Sequence, residues 1–327
     1  MRRSMYPVIL FLVLSVVLFR ANDIRAAEQY PVKPINFIVP LEAGAAGDLL
    51  ARPLAQIVSE ILGKPIIIVN KPGGGTTLGS LEIYNAKPDG YVIGIGLTSM
   101  ITSNFAGLSR VHFKDFTHLG TFYTQYLNVF GSTKTKRPFK TIEEVISFAK
   151  SHPGEVSLAS SASGQADWVG AMAVLSAIGI NVNVIPQAGS GGFAITQVAG
   201  GHADLAAVNL VAAKSQIDAG NVRFLAVVGN QRAPGYENVP TLKEVGYDVV
   251  WASTGFIIGP PNMPKDVADK LTKTFEMAAN HPNFHKFLLD RFATPLYLSP
   301  NKTIEYLDGQ SKVVRDIMYK AGILKEK

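Results

Sequence analysis

At 327 residues the chain is long enough for two domains, and 47% hydrophobic against 17% charged residues excludes a disordered polymer. A formal charge of +6, with no basic block and no basic-aromatic interleaving, argues against a nucleic-acid surface. Cysteine is absent, which excludes disulfides, thiolate metal sites and a lipid-anchored N-terminal cysteine.

In chain order, Arg2 and Arg3 precede an apolar run from Pro7 to Phe19, interrupted only by Ser15. The run is short for a membrane span and has the length of a signal-peptide core. The polar stretch after it ends in Ala26-Ala27, so residues 1–27 are expected to be a signal peptide cleaved near Ala27. An uncleaved anchor is the alternative. Cleavage removes four basic residues and one acidic residue and leaves a formal charge of +3.

Ile35 to Val39 has the character of a strand. Asp48 to Leu62 has helical spacing at Leu50, Leu54, Ile57, Val58, Ile61 and Leu62, with Asp48 as a candidate N-cap, Gly63 as terminator and Pro53 as an expected bend. Next come a strand at 66–69, a helix at about 77–86, a Pro88-Asp89-Gly90 turn and a strand at 91–97. From Lys140 a second series begins: a helix capped by Thr141 and running to Lys150, a strand at 156–159 and a helix at 166–178. A strand at 182–185, a helix at 193–199 and strands at 205–208 and 223–228 follow. After Pro264 the pattern is mostly helical, and Ser299-Pro300 opens the last helix. Alternation of this kind predicts an α/β fold with mainly parallel sheets covered by helices.

Four loops share one description: "LEAGAAGD" (41–48), "NKPGGGTT" (70–77), "SSASGQ" (160–165) and "QAGSGG" (187–192). Each follows a strand, is rich in small residues and leads into a helix. In an open sheet such loops line one crevice, and helix N-termini there present unpaired N–H groups and the positive dipole end. The expectation is a clamp for a carboxylate or similar anion.

Catalytic patterns are missing from the sequence. No HExxH or G-x-S-x-G occurs, and no Walker A loop. His281 and His285 are four apart on a charged helix and do not suggest a metal site. "GSGGFA" (189–194) fits G-x-G-x-x-A, but no acidic residue follows about twenty positions on, so no dinucleotide or other cofactor is expected.

Taken in order, "YPVKPI" (30–35), "PLEAGAAGD" (40–48), "VNKPGGGTT" (69–77), "PDGY" (88–91), "SSASGQ", "IPQAGSGGFAITQVAGGHADL", "NVPTLKEVGY" and "GPPNMPKDVADKL" resemble the periplasmic solute receptors of tripartite tricarboxylate transporters, the Bug-type receptors. The resemblance covers nearly the whole mature chain. It implies a two-lobed periplasmic binding protein of type II, a Venus flytrap. Lobe 1 would be residues 28–128 plus 251–327 and lobe 2 residues 129–250, with crossings near Asn128 and Trp251. It further implies a non-enzymatic periplasmic receptor that binds a small carboxylate and delivers it to a membrane permease; a monomer is the default expectation. A sensing module or a secreted hydrolase are the rival readings.

The expected ligand donors are the backbone of Gly44, Ala45, Ala46 and Gly47 and of Gly74, Gly75, Thr76 and Thr77. Side chains of Thr76, Thr77, Ser99, Ser160, Ser161, Gln165 and Asn209 complete the set. The sequence departs from the family pattern at Glu42, Ala45, Ala46, Gln187, Ala188 and Val208. Glu42 either points outward into solvent or accepts from an amino or hydroxyl group on the ligand.

Overall fold

The computed structural model describes residues 30–189, 191–320 and 322–324; the expected signal peptide lies outside them. The first lobe is built on strands β1 (Ile35–Val39), β2 (Ile66–Asn70) and β3 (Val92–Leu97). They alternate with helices α1 (Ala46–Leu62), α2 (Thr77–Tyr84) and α3 (Thr98–Phe105). A long strand, β4 (Thr117–Ser132), follows. The second lobe contains α4 (Ile142–Ser151), β5 (Ser157–Ser160), α5 (Ala166–Ile178), β6 (Asn183–Pro186), α6 (Gly191–Ala199), β7 (Leu205–Asn209), α7 (Leu210–Asp218) and β8 (Val222–Val228). The chain then returns through β9 (Ala252–Gly259) and ends in α8 (Lys265–Ala279), α9 (Pro282–Leu289), the short β10 (Thr294–Pro295) and α10 (Pro300–Lys320).

β4 belongs to both lobes. Its residues from Thr117 to Tyr126 pair with β9, and those from Leu127 onward pair with β7 on one side and β8 on the other. The pairing is therefore mixed where mainly parallel sheets were expected. β2-β1-β3 and β6-β5-β7 are parallel, as alternation with helices demands, while β4 and β9 run antiparallel to their neighbours. The cause is connectivity: a strand that carries the chain across and one that brings it back must oppose each other.

Local sequence accounts for most element ends. α1 buries Leu50, Leu54 and Val58 on one face and stops at Gly63, whose φ of 64° is left-handed. Pro53 sits inside α1, and the Leu49 carbonyl it leaves without a donor belongs to an exposed residue. Asp48 is not the N-cap; that position is Ala45, and Asp48 occupies the first turn. His281 Nδ1 accepts from the Asn283 N–H and so caps α9. In the first lobe Phe37 and Phe275 stack at 5.8 Å with no exposure, each contributing roughly 1.5–3 kcal/mol by burial. The C-terminal α10 packs on β4 and on α5, bridging the two lobes behind the crossing.

Candidate functional site

Five helix N-termini open onto one cavity of about 60 Å³ between the lobes. Ala45 to Gly47 bring the start of α1, and Thr98 and Ser99 the start of α3. Gln165 to Asp167 bring the start of α5, Gly191 and Gly192 that of α6, and Asn209 caps α7. No Lys or Arg among the described residues lines the cavity. Positive charge there comes from helix dipoles and unpaired amides.

The α1 end is the most rigidly held. Asp48 has no solvent exposure, and its carboxylate accepts from Gly44 N–H (2.8 Å), Arg52 Nε and Nη2 (2.9 Å each) and Asn70 Nδ2 (2.9 Å). Desolvation alone would raise its pKa; those donors outweigh it and hold the carboxyl below its ordinary value. Asn70 Nδ2 also reaches the Leu41 carbonyl at 3.0 Å, tying the end of β2 to the loop after β1. Ala46 and Gly47 line the cavity, and their N–H groups meet no acceptor among the described residues. Gly47 packs closely: a Cβ there would stand 2.8 Å from Leu41 Cδ1, so the end of that side chain would have to move, and 3.5 Å from the Tyr123 hydroxyl.

The second-lobe side is different. Two of the first-turn amides of α5 are already taken, Ala166 N–H by Ser99 Oγ (3.3 Å) and Trp168 N–H by Ser161 Oγ (3.1 Å). The Ser99 contact crosses the cleft, as does Thr102 Oγ1, which donates to the Gly164 carbonyl at 2.6 Å. The lobes are therefore in hydrogen-bonded contact. Asp167 lines the cavity and is half-buried as a residue, but its carboxyl group is deep in the cleft; desolvation pushes its pKa up to about 7. Burial, and then the charge of Asp167, push the Tyr123 phenol well above its ordinary value, so it stays neutral.

Six of the thirteen expected site residues line this cavity: Ala45, Ala46, Gly47, Ser99, Gln165 and Asn209. Ser99 acts there as an acceptor for an amide of the other lobe. Gly44 does not line it; its N–H is committed to Asp48. Gly74, Gly75, Thr76 and Thr77 stand off the wall, because Gly75 is held against α3 by Ser103 Oγ, which donates to its carbonyl at 2.6 Å. Thr76 and Thr77 keep buried hydroxyls with no partner among the described residues. Ser160 and Ser161 lie beneath the wall, 0% and 1% exposed, and Ser161 is used as a cap.

The sequence reading missed Tyr123 and Gln125 on β4, Ser253 on β9, and Asp167. No strand was expected at 117–132 or 252–259, so nothing directed attention to their side chains. Asp167 carried a signal, an acidic residue opening a helix beside a recognised loop. Glu42 does not point outward into solvent. Its carboxylate is half-buried, with Oε2 unpartnered, and Oε1 lies 3.2 Å from where a Gly189 Cβ would stand, across the cleft and off the cavity wall.

Known proteins of the same kind match over nearly the full length. The chain is 27% identical to protein BugT of Bordetella pertussis over 311 residues, 92% of this chain and 91% of that one. The solved structure of the periplasmic binding protein BugD superposes with a TM-score of 0.83 at 26% identity, covering 91% of this chain and 100% of BugD. Rpa4515 of R. palustris, solved with adipate, superposes at 0.85 over 90% of this chain and 99% of its own, at 23% identity, and so speaks to the fold alone. The description "Tripartite tricarboxylate transporter family receptor" matches residues 50–323, and with these relatives it establishes that the chain belongs to that receptor family.

Proposed function

We propose that the protein is a periplasmic receptor that closes on a small organic carboxylate and delivers it, chemically unchanged, to the membrane permease of a tripartite tricarboxylate-type transporter. The observation that carries this reading is the meeting of five helix N-termini at one interlobe cavity with no lysine or arginine among the described residues of its wall. Such a site stabilises an anion by amides and dipoles. Two or three charge-assisted hydrogen bonds at roughly 1.5–3 kcal/mol each, with helix ends adding about 0.3–1 kcal/mol each, reach affinities near the micromolar range. The family membership supports the ligand class. In this reading residues 28–128 and 251–327 move as one lobe and 129–250 as the other, and the chain is cleaved near Ala27 and works as a monomer.

A thermal-shift screen against small organic acids tests it. A ligand at 100 times its dissociation constant adds about 2.7 kcal/mol of stability. The bound acid is recovered unchanged after prolonged incubation. A screen without any stabilising acid, or steady consumption of one, defeats the proposal.

A further inference from the structure

Two acidic residues stand in the first turns of helices at the cleft, and their surroundings are opposite. The Asp48 carboxylate accepts from Gly44, Arg52 and Asn70, and those donors keep it ionised. Asp167 lines the cavity and is met by a single described side-chain donor, Asn209 Nδ2, at a long 3.4 Å. Two amides of its own helix turn, those of Ala166 and Trp168, are already taken by Ser99 and Ser161. Its Oδ2 lies against the backbone of α6, 2.8 Å from where a Gly191 Cβ would stand. The wall's other donors, among them the Gln165 amide and the Tyr123 hydroxyl, are neutral. With no positive side chain described there, a desolvated carboxyl group is stabilised by keeping its proton, and burial pushes the Asp167 pKa up to about 7.

A ligand carboxylate must share this space. At about 10–15 Å³ per water-sized group, the cavity of about 60 Å³ holds roughly four to six non-hydrogen atoms and is roughly 5 Å across. A carboxylate placed in it lies within about 5 Å of Asp167. Two carboxyl groups that close in a dry site do not both ionise; they share one proton. We propose that Asp167 recognises the ligand as an acid donor: its O–H donates to the ligand carboxylate, and the receptor takes up one proton with each anion it binds. This rests on the carboxylate reading above and adds the side chain that makes the contact. The bond is of the short, charge-assisted O–H···O⁻ kind. Anion and proton enter together, so the closed cleft gains no net charge. Opening rehydrates Asp167, its proton returns to water, and repulsion between two carboxylates then favours release.

Among the described residues, Asp167 is the one cavity side chain that titrates near neutral pH. From β4 comes Tyr123, whose phenol stays neutral, and from α7 comes the neutral Asn209. Lys214 and Asp218 of α7 bond to each other on its exposed side. α3 and α6 bring no charged residue. On α1, Asp48 is paired with Arg52. The other carboxylate nearby in the cleft is Glu42, beside Gly189 and off the cavity wall. An ionised Asp167 repels the incoming anion and a protonated one binds it. Affinity is therefore full below a pH of about 7 and falls as pH rises through that value.

Titration calorimetry on the mature protein decides the matter, with acetate, propionate, lactate and benzoate, whose own carboxyl groups stay ionised from about pH 6 to about pH 8. Running each titration in two buffers of different ionisation enthalpy counts the protons taken up. For every acid that binds, the expected result is uptake of about one proton at about pH 8, and an affinity at least about tenfold weaker there than at about pH 6. In Asp167→Asn, which keeps an N–H donor without a charge, uptake vanishes and affinity no longer depends on pH, with folding checked by thermal melting. Glu42→Gln keeps both effects. The uptake by the unmodified protein is a test in its own right where the Asp167 variant does not fold. Binding without proton uptake, or an affinity that rises with pH, overturns the shared proton and leaves the carboxylate reading standing. Uptake that persists in Asp167→Asn does the same. Failure of all four acids and of the wider thermal-shift screen overturns both.

Discussion

The loops after β1 and β2 are both rich in small residues and have opposite duties. In residues 41–48 the start of α1 lines the cavity, and the acidic residue of the first turn is spent on holding the loop's shape. In residues 70–77 the glycines have another task. Gly73, Gly74 and Gly75 have φ of 125°, 58° and 63°, and Thr76 follows at 80°, a run of left-handed residues that turns the chain sharply into α2. The start of that second loop, Asn70, braces the first through Leu41 and Asp48. Glycine-rich composition therefore specifies a backbone shape, and only packing decides whether that shape faces a ligand or supports a loop that does.

The sharpest break of this comparison is Gly47→Val set beside Gly74→Val. Valine at 47 meets Leu41 and the Tyr123 hydroxyl inside the wall, and ligand affinity falls by about 100-fold, about 2.8 kcal/mol. Valine at 74 is strained by its φ of 58° and lowers the melting temperature, while affinity changes by only a few-fold. Calorimetry and melting on both variants separate the two. Equal losses of affinity would show that the second loop also touches the ligand.

Next in size is Asp48→Ala. It leaves the Gly44 amide, the Asn70 amide and the Arg52 guanidinium without their shared acceptor, and stability falls by about 2–4 kcal/mol in denaturant unfolding. Arg52 is 45% exposed and recovers water, which keeps the loss from being larger. The pH signs of the two buried carboxylates are opposite. Asp48 has a depressed pKa, so its stabilisation is present above the ordinary carboxylate value and is lost as pH falls through its folded pKa. Asp167 has a raised pKa, so stability declines as pH rises from about 4 to about 7. Asp167→Asn removes that decline, as melting across this pH range will show.

A smaller effect comes from Thr102→Val, which deletes the 2.6 Å bond from α3 to the Gly164 carbonyl across the cleft. Closure is weakened by about 1 kcal/mol, and scattering of the ligand-free protein shifts toward a more open form. An unchanged profile would mean that this bond does not govern closure. The smallest effect expected is from Thr76→Gly. Relief of the left-handed threonine offsets the entropy of an added glycine, so stability changes by less than about 1 kcal/mol and affinity does not change. A marked loss of affinity would return the Thr76 hydroxyl to the binding site.

The sequence by itself determined what is local. The spacing in α1, its stop at Gly63, the strand-loop-helix alternation and the small-residue loops are all short-range patterns, and in order they carried the family resemblance. Tertiary structure decided what depends on distant partners. β4 is buried along almost its whole length, so it lacks the polar-apolar alternation that marks a half-exposed strand. Its placement follows from pairing with β7, β8 and β9, far along the chain. That strand brings Tyr123 and Gln125 to the cavity. Asp167 drew no reading from the sequence; the folded chain sets it beside Tyr123 and Asn209, and desolvation depends on everything that closes over a group and on nothing beside it in the sequence.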